Sequence, residues 1–360
     1  MIAGRDYLVP VNLDPERNRE AWLADRLLGH GGSDVAKIVG EHPNKGPIDV
    51  WRAHTGDGVQ DDDTERSRAG RWLEPHVIRW FAAGGEDWPR IGGPYRIAKP
   101  PTVYHRDRPW QRGSVDGLGY YPEAIAHLPY GDAELSAVMA PSFLLEVKTH
   151  GWFGSKCYNL DDEDMPLISV PPDKRIQVAW YQELYDCDVA YLAALADTHL
   201  KRTFLLPRDR ALGAMLLDEV ESFRKRYILT GEAPPPDGKP SYHDFLRARF
   251  KTHDAELVAS TDEVDTAVEA LIAIKRDQKR LKAERELAEQ VIKKHIGEHA
   301  GVKSSSGIVT WKSQRSGKYR DKEMRAELYA VAGWTDVEIA AFEERFALPD
   351  NRVMRTPGKD

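Results

Sequence analysis

The chain has 360 residues, 41% apolar and 30% charged, a balance that suits a soluble globular protein of one large or two smaller domains. Its formal net charge of −7 argues against indiscriminate nucleic-acid binding, and no apolar run approaches the roughly 18 residues of a membrane span. The amino terminus lacks the basic-then-apolar layout of a secretory signal, and two cysteines, Cys157 and Cys187, are too few for a disulfide framework or a four-cysteine zinc or iron–sulfur site, so a reducing cytoplasm is expected.

Residues 18–30 carry Trp22, Leu23, Leu27 and Leu28 near a 3.6-residue period and predict a helix. HGGS interrupts it, and Gly32 or Ser33 is expected to cap a second helix through DVAKIVG. Pro47 opens a short helix over Ile48–His54. A longer one over Glu65–Ala83 draws its apolar positions from Trp72, Leu73, Val77, Ile78, Trp80 and Phe81. The period then changes, and PYRIAKPPTVYH, QRGSVDGLGYY and FLLEVKT read as strands divided by turn residues. A helix over Asp173–Tyr185, strands at VAYLAALAD and KRTFLLP, and a helix through Met215–Thr230 follow.

GEAPPPDGKP ends that helix and stiffens a connector, because proline fixes φ and lacks a backbone donor. It predicts a boundary between a domain over 1–235 and an appendage over 236–360. The appendage is expected to hold a long charged helix over about 262–299, a hairpin over about 301–314 and a tail with a helical piece at Glu323–Ala332. Val264, Val268, Leu271, Gln278, Leu281 and Ala288 fall near heptad spacing. Gln278 and the surrounding charges weaken that seam, which favours a helix docked on a neighbour or folded into a hairpin over a long coiled coil. From Lys275 to Arg325 the chain counts 15 Lys or Arg against 7 Asp or Glu, a basic segment in an acidic protein. Acidic runs lie at 61–63 and 161–164 and read as solvated loops.

FLLEVKT holds the chemistry. Successive strand residues alternate faces, so Glu146 and Lys148 project side by side while Val147 turns the other way. Asp116, in GSVDGLG, reaches the same point if its segment pairs with FLLEVKT. Two carboxylates and the Val147 carbonyl make a hard oxygen site suited to Mg²⁺ or Mn²⁺. A lysine beside that ion would orient or deprotonate a water, with its pKa expected to be lowered by the neighbouring cation and by burial. Taken alone, an E-x-K on a strand also reads as a solvent-facing ion pair.

Asp116, Glu146-Val147-Lys148 and the helix RIQVAWYQEL resemble the PD-(D/E)xK nuclease superfamily. RLLGHGGSDVAKIVG and the Gly70-to-Glu74 spacing in GRWLEPHVIRWF bring the resemblance closer to its YqaJ-like viral recombinase branch, over roughly residues 20–235. The resemblance implies an α/β (α+β) restriction-endonuclease-like core, a central mixed sheet flanked by helices, with the long helix and hairpin appended. It implies that Asp116, Glu146 and the Val147 carbonyl bind Mg²⁺, with Mn²⁺ as a substitute, that Lys148 positions the attacking water, that Glu74 helps hold a second ion, and that Gln177 orients the lysine or the water. Arg26, Ser33 and Ser114 match positions that grip a 5′ phosphate, though LLG stands here where the family often has LG; Ser33 also reads as a helix cap. Tyr181 and Trp180 read as core. The cysteine count excludes the branch that carries an iron–sulfur cluster.

The implied activity is 5′→3′ digestion of linear duplex DNA to a 3′ single strand, in phage-type recombination with a single-strand annealing protein as partner. The implied setting is the host cytoplasm, without a membrane, and the implied assembly is a homotrimer. Two rivals remain at this point: a structure-specific or single-strand endonuclease of the same superfamily, and a non-catalytic DNA-binding scaffold using the basic 275–325 segment.

Overall fold

The computed structural model describes residues 7–8, 19–56, 64–84, 93–125, 139–150, 170–196, 200–312 and 321–345. The acidic runs at 61–63 and 161–164, Cys157, residues 313–314 of the expected hairpin and the end of the tail lie outside them. Two compact units result, 1–248 and 249–360.

In chain order the first unit contains β1 (Tyr7–Leu8), α1 (Arg19–Arg26), α2 (Gly32–Ile38), α3 (Pro47–Thr55), α4 (Glu65–Ala83), β2 (Arg96–Ala98), β3 (Val103–His105), β4 (Arg112–Gly113), β5 (Gly117–Tyr120), α5 (Pro122–Ile125) and β6 (Phe143–His150). It continues with α6 (Pro172–Tyr185), β7 (Val189–Ala196), β8 (Leu200–Pro207), α7 (Arg210–Phe223) and α8 (Pro240–Arg249). The main sheet runs β2-β5-β6-β7-β8. Only β6 and β7 pair in parallel, with α6 between them in the chain; the other pairs are antiparallel. The expected mixed sheet flanked by helices is therefore present.

A parallel pair covered on both faces should be apolar throughout. β7 obeys, with Leu192 to Ala196 all buried. β6 obeys at Phe143 to Leu145 and at Val147, and departs at Glu146, at Lys148 and in its partly buried end, Thr149 and His150. Phe143, Leu145 and Val147 face Val77 and Phe81 of α4, whereas Leu144 joins the cluster built on α2 and α6. The acid and the base share the Leu144 face, beneath α6.

Pro100 and Pro101 cannot donate to a ladder, and there the strand expected as one piece divides. β2 joins the main sheet, while β3 joins a small sheet ordered β1-β3-β4. QRGSVDGLGYY divides likewise into β4 and β5, so residues 114–116 bridge the two sheets. The helix expected through Thr230 is α-helical only to Phe223 and closes in a π-helical turn over Arg224–Ile228.

The proline-rich segment does not end the first unit. Tyr242 and Phe245 of α8 are buried against Ile48, Trp51 and Phe223, and the Tyr242 hydroxyl donates to the Pro234 carbonyl at 3.2 Å. Ser241 Oγ donates to Asp49 Oδ2 at 2.6 Å. These contacts fold the connector back on the core, and the division falls after Ala248 rather than at 235.

The second unit holds α9 (Asp262–Ile296), the hairpin β9–β10 (Gly301–Ser304 and Gly307–Thr310), α10 (Asp321–Ala332) and α11 (Asp336–Arg345). Thr261 caps α9, and Gly297, at φ 56°, ends it in the turn that leads into β9. Among its described residues only Ile296 is buried. Val264, Ile274 and Leu281 stay about half exposed, so within this unit the expected docking of the long helix is limited to its end. Tyr329, Trp334 and Phe342 cluster between α10 and α11. Among the described residues, no helix is long and apolar enough to cross a membrane.

Candidate active site

Antiparallel pairing sets Gly117 opposite Leu145, which brings the preceding Asp116 to the level of Glu146. Asp116 Oδ2 accepts the Val147 amide at 2.7 Å. Glu146 is 2% exposed. Its Oε1 receives Gln177 Nε2 at 2.7 Å and pairs with the Lys148 ammonium, whereas its buried Oε2 has no hydrogen-bond partner. Gln177 thus holds the acid, where either the lysine or the water was expected.

Burial and the charge of Glu146 push the Asp116 carboxyl well above its usual range, and Glu74 adds to the effect. Burial likewise raises Glu146, against the pull of Lys148. Burial alone would lower Lys148, but Glu146, Asp116 and Glu74 outweigh it and raise the ammonium. The lowering expected beside a bound cation concerns the ion-loaded site; here the neighbouring carboxylates make the charge of the amine worth keeping.

A buried acid with an open oxygen, next to a second acid that resists ionising beside it, fits a divalent cation. Among the described residues no three Asp, Glu, His or Cys side chains gather closely enough to hold an ion by themselves. Glu74, expected to complete such a set, instead receives Lys99 Nζ at 2.8 Å on Oε1. An ion here would take two carboxylates and complete its shell with backbone or water oxygens, the habit of Mg²⁺.

Beside the acids lies a pocket of about 220 Å³ lined by Arg26, Ser33, Thr102, Arg112, Ser114 and Tyr181, together with Gly31 and Gly113. All three residues singled out for phosphate, Arg26, Ser33 and Ser114, meet there from segments more than 80 positions apart. Ser33 is not the cap of α2. That position belongs to Gly31, and Ser33 stands exposed in the first turn.

Tyr181, read from sequence as core, is both buried and part of the pocket wall. Its hydroxyl accepts from Gln177 Nε2 at 3.3 Å, so one amide group joins the pocket to Glu146. Burial and the Glu146 charge raise its pKa, so it stays a neutral phenol able to donate its proton. Arg112 was missed because no motif marks it.

The pocket depends on close packing over α6. A Cβ on Gly32 would lie 2.9 Å from Gln177 Cγ and 3.0 Å from Tyr181 Cζ; one on Gly113 would lie 2.5 Å from Leu184 Cδ2. Both glycines neighbour a pocket serine. Gly32→Ala is therefore expected to destabilise the protein by about 1–3 kcal/mol, the usual cost of overpacking, measured by denaturant titration. An unchanged midpoint would mean that α2 does not rest on Gln177 and Tyr181.

Residues 21–183 match the family model described as the YqaJ-like viral recombinase domain. The chain is 24% identical over 285 residues to the uncharacterized protein YqaJ of Bacillus subtilis (strain 168), covering 77% of this chain and 78% of that one. Among solved structures it is similar to the alkaline exonuclease LHK-Exo of Laribacter hongkongensis, at 15% identity and a TM-score of 0.41, over 64% of this chain and 98% of that one. It is also similar to a phage-related exonuclease from Haemophilus somnus 129PT, at 16% identity and a TM-score of 0.39, over 57% and 97%.

Proposed function

We propose, from the match of residues 21–183 to the YqaJ-like viral recombinase domain model, that the chain is a metal-dependent deoxyribonuclease that digests linear duplex DNA from phosphorylated 5′ ends and leaves a 3′ single strand. One observation carries the reading. Asp116, Glu146 and Lys148 converge on one face of β6, with Glu146 Oε2 open, beside a pocket that collects two arginines and two serines.

Asp116, Glu146 and the Val147 carbonyl would hold Mg²⁺. The bound ion would supply an activated water and stabilise the leaving oxygen of a phosphodiester. Gln177 fixes the Glu146 rotamer, and the Lys148 ammonium would sit beside the attacked phosphorus as a charge and proton partner. Arg26, Ser33 and Ser114 would receive the terminal phosphate through charge-assisted hydrogen bonds. That grip favours digestion from 5′ ends, with a single-strand annealing protein as the natural receiver of the product and a homotrimer as the assembly.

Linear and covalently closed circular duplex DNA, each with Mg²⁺ and with chelator, separate the readings on a gel. Linear DNA is expected to disappear with Mg²⁺ only, and the circle to persist under both conditions. Cutting of the circle would make the protein an endonuclease. An untouched linear duplex with Mg²⁺ would refute the catalytic reading.

A further inference from the structure

Arg112 sits on the two-residue strand β4. Its side chain is held on several sides: it is 7% exposed, its guanidinium lies 5.2 Å from the Tyr104 ring centre, and it pairs with Asp25. The Trp180 indole donates to its carbonyl at 2.8 Å, and its own amide donates to the His30 carbonyl at 3.1 Å. Yet its Nε–H, itself shielded from solvent, has no hydrogen-bond partner among the described residues, while the residue lines the pocket. A buried donor of this kind is costly unless an acceptor arrives.

Asp25 is unusual as well. It occupies the last turn of α1, where exposed carbonyls disfavour a carboxylate, and its side chain is 12% exposed. Pairing with Arg112 offsets that position. The nearby Asp34 does not compete for the same role, because it is bonded to Lys37 at 3.0 Å.

The pocket is smaller than the roughly 300 Å³ at which small-molecule sites begin, so it suits a phosphate-sized group rather than a whole nucleotide. A terminal phosphomonoester carries about −1.5 to −2 charges at neutral pH, whereas an internal phosphodiester carries only one negative charge. A single guanidinium would serve either. Two guanidiniums in one pocket favour the more highly charged group.

We infer that Arg112 and Asp25 set the specificity of this pocket: Arg112 selects a terminal phosphomonoester over an internal phosphodiester, and Asp25 is its counter-ion while the pocket is empty. This rests on reading the pocket as the subsite for a DNA end. On binding, the phosphate competes with Asp25 for the Arg112 guanidinium. The carboxylate thus lowers affinity for anions too weakly charged to displace it.

Two measurements test this. The first is the thermal midpoint in chelator, with and without inorganic phosphate. The second is the ratio of initial rates on linear duplexes bearing 5′-phosphate or 5′-hydroxyl ends. The wild type is expected to be stabilised by phosphate and to prefer phosphorylated ends. Arg112→Lys, which keeps the charge but not the planar fork, is expected to lose the phosphate-induced shift and to lower the rate ratio about tenfold, equivalent to roughly 1.4 kcal/mol. Asp25→Asn is expected to enlarge the phosphate-induced shift.

A merely structural Arg112 would depress both rates equally and leave the folded variant's phosphate shift intact, and that result overturns the proposal. So does an Asp25→Asn protein whose shift does not grow. A wild type that degrades DNA but ignores both phosphate and the state of the 5′ end refutes the end-subsite reading itself. Phosphate shifts that follow the expected order in a protein without nuclease activity would uphold the Arg112–Asp25 pair and refute the enzyme.

Discussion

Glu146→Gln is expected to lower the rate of DNA degradation by about 10²–10⁴-fold, the span typical of losing one essential acid or base, while the protein melts near the wild-type temperature. The substitution keeps the shape and keeps an oxygen for Gln177 and Lys148, both of which bond to Oε1 in the wild type. What it removes is the negative charge and the second carboxylate oxygen, the one that meets no donor. Lys148→Met should produce a loss of the same order by removing the ammonium. Initial rates on 5′-phosphorylated linear duplex provide the measurement. Near-normal degradation by either purified variant would remove these residues from the reaction.

Asp116→Asn should separate stability from activity. Burial and the Glu146 charge raise the Asp116 carboxyl, so the folded protein binds its proton more tightly than the unfolded chain does. The sign follows. Stability from this group is gained as pH falls from the raised folded value toward the unfolded value of about 4, and above that window the burial of this carboxyl weakens the fold. Asparagine cannot ionise, and its side-chain oxygen can still accept the Val147 amide. In chelator at neutral pH, the variant should melt at least about 2 °C above the wild type, the equivalent of roughly 1 kcal/mol for a fold of this size.

Adding Mg²⁺ should reverse the order. The wild type gains stability in proportion to ion binding, whereas the variant, lacking one ligand charge, gains little and degrades no DNA. A variant less stable than the wild type in chelator would show that the acid supports the fold instead of straining it. Equal Mg²⁺ shifts in both proteins would show that the ion does not bind at Asp116.

Much of the site was legible because strand geometry is short-range. Glu146, Lys148 and the inward Val147 follow from alternation within seven residues, and Asp116 from the single assumption that two neighbouring strands pair. The rest depended on partners far away in the chain. Arg112 acquires its meaning from Asp25, 87 positions earlier, and Glu74 meets Lys99, 25 positions later. Tyr181 shows apolar periodicity whether it fills a core or walls a pocket, since it does both. Pro100-Pro101 reads as a break in a strand, but only tertiary structure reveals that the halves belong to different sheets. The proline-rich stretch reads as a boundary from composition, which cannot foresee that Tyr242 and Phe245 fold back onto Trp51 and Phe223.

The two faces of β6 carry opposite demands, with Phe143, Leu145 and Val147 against α4 and Glu146 and Lys148 on the reverse side. Deleting or inserting one residue upstream in that strand would exchange the faces. The acid would then be driven in among Val77 and Phe81, and an aliphatic side chain would take the place of the proposed metal-binding carboxylate. Variation in this segment is therefore restricted in length as well as in identity: conservative replacements on the α4 face are tolerable, but a one-codon slip would cost the fold and the chemistry together.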